Sequence, residues 1–320
     1  MKLSIKINAV LEKLMPVITP FSLIMGVAFS SFFIKLQPLV PWLFALLTFS
    51  GSLGSGFKDI KNAAKNPLPF ILSLSILHVL MPVIALGTGK VLFSGNPDIV
   101  TGMVLEFSVP AAVVSLIWVS IYKGNTALSL SILLIDTLLS PFITPLTIKL
   151  LLGSNVTIDS GDMIKDLIFM IAIPALLAAS LNHFTKGMVK QTLSPRLAPV
   201  SKLCLMVVIM SNSSKAAPLF KSMTPKLFGV ALTMLVLAAL GLALGIIIAR
   251  VLKLKHEDTV SLAYSAGLRN ISAGAVIAAK YFSEAVIFPV MICTVFQQIL
   301  AAATGYALSR IFKSEESENN

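Results

Sequence analysis

The spacing of apolar runs constrains this chain more than any single motif. Ten stretches, at approximately 15–34, 40–56, 67–93, 99–121, 126–152, 164–181, 197–214, 227–251, 260–282 and 285–312, alternate with short polar connectors. Gln37-Pro38, Lys65-Asn66-Pro67, Gly95-Asn96-Pro97, Lys123-Gly124-Asn125, Ser194-Pro195 and Thr224-Pro225 mark those connectors. At ~1.5 Å rise per residue, a helix of about 20 residues crosses the ~30 Å hydrocarbon layer. Hydrophobic residues make up 56% of the 320 and charged residues only 12%, against about 25% charged in soluble domains. The expected class is an all-α polytopic membrane protein of about ten transmembrane helices.

Charge supports this reading and excludes another. The net charge of +11 comes from Lys and Arg in short loops between apolar spans. Clustered aromatic platforms for single-stranded nucleic acid are lacking, so the expectation is a lipid bilayer and no nucleic acid. With the N-terminus cytoplasmic, the inner loops collect 16 basic residues and the outer loops 8, with Arg269 inside the membrane and assigned to neither. That bias predicts a multi-pass protein of the cytoplasmic membrane with both termini inside. Cys204 and Cys293 lie in apolar runs and read as small buried hydrophobes. Small residues near Ala28 and Ser30 imitate a signal-peptide cleavage site; the spanning length of 15–34 favours an uncleaved first span.

The chain also resembles itself. The connector GFKDIKNAAKNPLPFILSLSI (56–76) is similar to LFKSMTPKLFGVALTML (219–235), and YKGNTALSLSILL (122–134) to YFSEAVIFPVMI (281–292). The offset is about 160 residues, and an odd number of spans per copy inverts the second copy, as in many secondary transporters. The expected organisation is a five-helix repeat at 1–155, an inverted repeat at 160–313, and a polar disordered tail at 314–320.

Spans four and nine, which correspond in the two halves, look broken. Pro110 removes an N–H from span four, with Glu106 and Ser108 beside it. Span nine carries Ser265, Gly267, Arg269, Asn270, Ser272 and Gly274 in mid-span. Such interruptions suit a lined cavity; the alternative is an ordinary kink at Pro110 and glycines that serve helix packing.

At these residues the sequence resembles the bile acid:sodium symporter family. The resemblance rests on YKGNTALSLSILLIDTLLSPFITP (122–145), HVLMP (78–82), the stretch 267–272, and the loop holding Gly54, Gly56, Phe57 and Asp59. It implies ten helices, a panel of spans 1, 2, 6 and 7, and a core of spans 3–5 and 8–10 in which broken helices four and nine cross. It also implies a small organic anion as substrate; the breaks give Pro110, Ser115, Gly267, Asn270 and Ser272 as substrate-binding positions, and Arg269, by the chemistry of its guanidinium, is a candidate partner for a substrate carboxylate. A related arsenite-transporter family places a Cys in the broken fourth helix, where this chain has Ser108 and Val109.

The family's ion positions are only partly kept. Ser115 and Ser129 match its first sodium site, but Leu116 stands where the family has Asn and Leu133 where it has Thr. Ser265 replaces a bridging Glu, Arg269 and Leu77 replace two Gln residues, and Asn270 is kept. Na⁺ takes several hard oxygen ligands, so both sites read as degraded. Ser129, Leu133, Asp136 and Ser140 share one helical face, and a buried charge there needs a partner. Asp136 is therefore expected to neutralise Arg269, and Na⁺ or H⁺ is the possible coupling ion, with His78, Glu106 and Asp136 as proton candidates. No cofactor is implied.

The sequence thus predicts a secondary transporter of small organic anions. A sodium-independent or proton-coupled exporter or uniporter is the alternative, and a passive channel or receptor the reading from another class. Scattered His78, His183 and His256 make no metalloprotease motif, and no Walker A or Gly-x-Ser-x-Gly pattern occurs, so no enzyme is expected. Oligomeric state and direction of transport are not encoded legibly.

Overall fold

A computed structural model describes residues 2–57, 67–153 and 160–318; Asp59 of the resembling loop and Lys58, Lys61 and Lys65 of the charge pattern lie outside the described residues. Among those residues the protein is all-α. The first span is α1 (Lys2–Ala28), which begins and ends earlier than the apolar run suggests. A short turn at Ser30–Phe33 and a 3₁₀ turn at Ile34–Leu39 lead into α2 (Val40–Ser52).

The next spans are α3 (Pro67–Leu92) and the two pieces of span four, α4 (Pro97–Ser108) and α5 (Ser115–Ile121). Span five is α6 (Thr126–Leu152), span six α7 (Ser160–Phe184) and span seven α8 (Ser194–Lys215). Then follow α9 (Pro225–Val251) and the two pieces of span nine, α10 (His256–Gly267) and α11 (Ile271–Tyr281). The last helix, α12 (Glu284–Glu318), continues through most of the stretch expected as a disordered tail.

Eight helical segments among the described residues are long and apolar enough to cross a bilayer. The two predicted spans missing from that set are four and nine. Each is split, and a 12-residue piece such as α4 or α10 reaches only ~18 Å, about three-fifths of the hydrocarbon thickness. Large apolar side chains face outward, and polar side chains are held inside beside an apolar core. Val17, Val91 and Leu150 are 67%, 79% and 72% exposed, whereas Ser22, Ser73, Ser129 and Asp136 are fully buried.

Helix contacts sort into two groups. In one, α1 packs on α8, α8 on α2, and α2 on α7; in the other, α9 packs on α10, α3 on α4, and α4 and α11 on α12. They meet where α8 touches α11, α1 touches α12, and α7 lies along α6. Ser211 and Ser213 of α8 bond to the carbonyls of Phe33 and Leu23, so the serine run of span seven joins helices within the first group.

Candidate functional site at the crossing of the broken helices

Each break has a local cause. Pro110 bars the preceding residue from helical geometry, and Val109 is extended at φ −75°, ψ 157°. In span nine, Leu268 is extended at φ −96°, ψ 125°. Asn270 then restarts the chain as an N-cap, its side chain accepting from Ala273 N at 3.2 Å. The glycines have a different role from chain breaking. A Cβ on Gly267 would lie 2.8 Å from Leu242 Cα, and one on Gly274 3.0 Å from Val290 Cγ1. Both allow close packing, which is the alternative the sequence offered for them.

The two extended segments cross and pair. Ala111 and Arg269 form an isolated antiparallel bridge; Ala112 N donates to Leu268 O at 2.9 Å, and Asn270 N to Pro110 O at 2.8 Å. Non-helical backbone is tolerated at membrane depth only when its polar groups are satisfied within the protein. Side chains satisfy the amides and carbonyls that the bridge leaves over. Asp136 Oδ2 accepts from Ala111 N at 2.6 Å, and Gln297 Oε1 from Arg269 N at 3.1 Å. Thr144 Oγ1 donates to the Ser108 carbonyl at 2.9 Å. Gln298 is also structural, accepting from the Trp118 indole at 3.2 Å.

The Arg269 side chain, 2% exposed, turns to α3. Residues Ile76–Leu80 form a π turn in which Met81 N bonds to Ile76 O. The Leu77 carbonyl would then look to residue 82 for a donor, but Pro82 has no N–H. That carbonyl is free of its own helix, and Arg269 Nη1 donates to it at 2.9 Å. A second, longer contact reaches Val109 O at 3.4 Å, and the guanidinium lies over Phe107 at 5.8 Å.

The expected Arg269–Asp136 ion pair is corrected here. Asp136 Oδ1 meets His78 Nε2 at 2.5 Å, while Arg269 stands on backbone carbonyls. Asp136 already serves the Ala111 amide and the imidazole, and the carbonyl freed by Pro82 draws the guanidinium elsewhere. Asp136, His78 and Leu77 nonetheless converge on the π turn, and Arg269 lies within electrostatic reach of both Asp136 and Glu106.

The remaining predicted residues are placed as follows. Ser265 donates to Ser129 at 3.0 Å. Ser115 is 1% exposed, and its hydroxyl has no partner among the described residues. Leu77, Leu128, Ile132 and Leu133 build an apolar cluster that Leu116 joins. Glu106 is 1% exposed, its Oε2 without a partner among the described residues, and it faces α11 at Gly274. Asn270 and Ser272 are half-buried at the start of α11.

Two cross-connections escaped the sequence reading. At one end Asn125 Nδ2 donates to Asp258 Oδ1 at 2.9 Å, and at the other Ser283 Oγ donates to Asp98 Oδ2 at 2.6 Å. The signal was there in outline, since 122–134 and 281–292 are the stretches that look alike.

A multi-pass helical protein whose two broken spans cross at a buried polar centre is, as a class, a membrane transporter. The chain belongs to the SBF-like CPA transporter family, whose profile matches residues 42–310, in keeping with the bile acid:sodium symporter resemblance; it is a transporter and not an enzyme. The uncharacterized protein YbaS of Bacillus subtilis (strain 168) is 45% identical over 296 residues, covering 92% of this chain and 97% of its own. YocS of the same organism, described as an uncharacterized sodium-dependent transporter, is 22% identical over 92% of this chain and 90% of its own. BASS1, chloroplastic, of Oryza sativa subsp. japonica, described as a probable sodium/metabolite cotransporter, is 26% identical over 71% of this chain and 54% of its own.

Proposed function

We propose that this protein carries a small organic anion across the cytoplasmic membrane by alternating access, with Arg269 in place of a bound sodium ion. The observation that carries this reading is the guanidinium on the Leu77 and Val109 carbonyls. A fixed cation there repels a mobile one, by ~4 kcal/mol for two unit charges about 4 Å apart at an effective ε of about 20. The other cation position holds three neutral hydroxyls, Ser115, Ser129 and Ser265, two of them bonded to each other. These residues do not fit Na⁺, which takes more oxygen ligands and favours a carboxylate.

The moving parts would be a panel of spans 1, 2, 6 and 7 against a core of spans 3–5 and 8–10, with both termini cytoplasmic. Two pairs of contacts support an inverted repeat. Asp136 and Gln297 serve the Ala111 and Arg269 amides alike, and Asn125–Asp258 mirrors Ser283–Asp98. Each is related to its counterpart by an offset of about 160 residues. An anion is favoured by the positive end of α11, where Asn270 and Ser272 are half-buried, and by Nη2 of Arg269, which has no partner among the described residues. Ser115 and the backbone flanking Pro110 and Gly267 complete the proposed substrate positions.

The relatives' names favour a second reading, sodium coupling at Ser115, Ser129 and Ser265. A thermal-shift screen of small carboxylates followed by counterflow in liposomes separates the two. Exchange that proceeds equally in potassium and in sodium supports the first reading; a strict sodium requirement overturns it.

A further inference from the structure

We infer that the buried His78–Asp136 pair is a proton-binding site, through which a proton takes the part of the coupling ion; this rests on the reading that sodium has been displaced. Nε2 and Oδ1 are 2.5 Å apart. Two bare lone pairs would repel at that distance, so a proton lies between them. With Asp136 ionised, Oδ2 accepting from Ala111 N and Oδ1 facing the imidazole, Nε2 carries the shared proton. The ring's Nδ1 is then a bare lone pair, and it is buried without a partner among the described residues. An incoming proton binds there, forming an Nδ1–H bond and an imidazolium still held by the Asp136 carboxylate.

The location gives that proton leverage. Asp136 contacts the crossing directly at Ala111, and His78 sits in the π turn whose freed carbonyl holds Arg269. The charged surroundings are sparse. Of the elements packed on α3 and α6, α4 contributes Glu106, directed at Gly274, and the α10–α11 break contributes Arg269. Helix α5 carries no titratable group. The ionisable groups of α7 (Asp162, Lys165, Asp166, His183) and of α9 (Lys226, Arg250), with Asp98 of α4 and His256, Glu257 and Asp258 of α10, lie at helix ends; Tyr264, inside α10, donates its hydroxyl to the Ala301 carbonyl. One added proton raises the charge of the centre by one, which a bound monoanion offsets. Proton and anion would then occupy the site together, which avoids leaving a net charge in the membrane interior.

The test requires no known substrate. The full-length protein, labelled with ¹⁵N-histidine and held in lipid nanodiscs, is titrated from about pH 5 to pH 9. The signals of His78, His183 and His256 are separated by omission in H78Q. The expected result is a His78 Nδ1 signal that responds to pH, with a response that changes in D136N, where Asn can still accept from the Ala111 amide. The step belongs to the pair rather than to either residue alone. A His78 signal without pH response, or one whose response ignores D136N, overturns the inference. Repeating the titration in sodium and in potassium distinguishes the two failures: a sodium-dependent response would sink the displaced-cation reading while leaving the proton site standing.

Discussion

Arg269 and Leu77 are joined by a hydrogen bond of 2.9 Å that exists because of a third residue, Pro82. Without an N–H at position 82, the Leu77 carbonyl has no donor in its own π turn, and a guanidinium from span nine supplies one. A charge-assisted hydrogen bond of this kind contributes about 1.5–3 kcal/mol, and here it ties the second half of the chain to the first.

Pro82→Ala tests that relation. In an ordinary helix interior the change would stabilise, since Pro costs ~3 kcal/mol there. In this protein the new N–H competes for the Leu77 carbonyl and loosens Arg269. The expected outcome is a melting temperature that falls or stays level, read by thermal unfolding in detergent; a clear rise would contradict the account.

Arg269→Met removes the donor and leaves the freed carbonyl bare in the membrane interior. A buried polar group stranded this way costs about 1–3 kcal/mol. Thermal unfolding should show the loss, and Arg269→Lys should recover only part of it because an ammonium lacks the planar fork. Equal stability of both variants with the native protein would show that the guanidinium holds nothing.

Much of this centre was legible in the sequence. Pro110 and the Gly267–Asn270 stretch announced both breaks, and the Ser129–Asp136 face was correctly placed inside. The pairing of charges was not, because it depends on which groups are already satisfied. Asp136 is occupied by a backbone amide that only the crossing creates, and the carbonyl that holds Arg269 is made available by a proline on another helix. HVLMP contained that signal, a proline four residues after His78, but its meaning needs the π turn. The glycines illustrate a further limit: sequence shows that side chains are missing, while the structure shows that Leu242 and Val290 occupy the space.

Gly267→Ala and Gly229→Ala should therefore differ. The first places a methyl 2.7 Å from Leu242 Cδ2, while the second meets nothing within 4 Å. Overpacking at Gly267 is expected to cost about 1–3 kcal/mol; at Gly229 the better helix propensity of Ala should stabilise by up to ~1 kcal/mol. Melting temperatures of the two variants measure this directly, and matching shifts would refute the packing role.

A gain of cation binding is predicted for the triple variant Leu77→Gln, Ser265→Glu, Arg269→Gln. It restores oxygen ligands and a carboxylate while removing the fixed positive charge. Sodium should then stabilise the variant by about 2.7 kcal/mol at a hundredfold excess over Kd, read as a sodium-specific rise in melting temperature. A variant that folds but ignores sodium would show that the residues around Arg269 do not decide ion binding.

The most direct test of the central claim is the melting temperature of the native protein in sodium and in potassium at equal ionic strength. A ligand that binds only the folded state stabilises it along a saturating curve. On the proposed reading, in which Arg269 takes the place of the cation, the two salts are predicted to give the same melting temperature at every concentration. A rise that is specific to sodium and saturates would contradict the account.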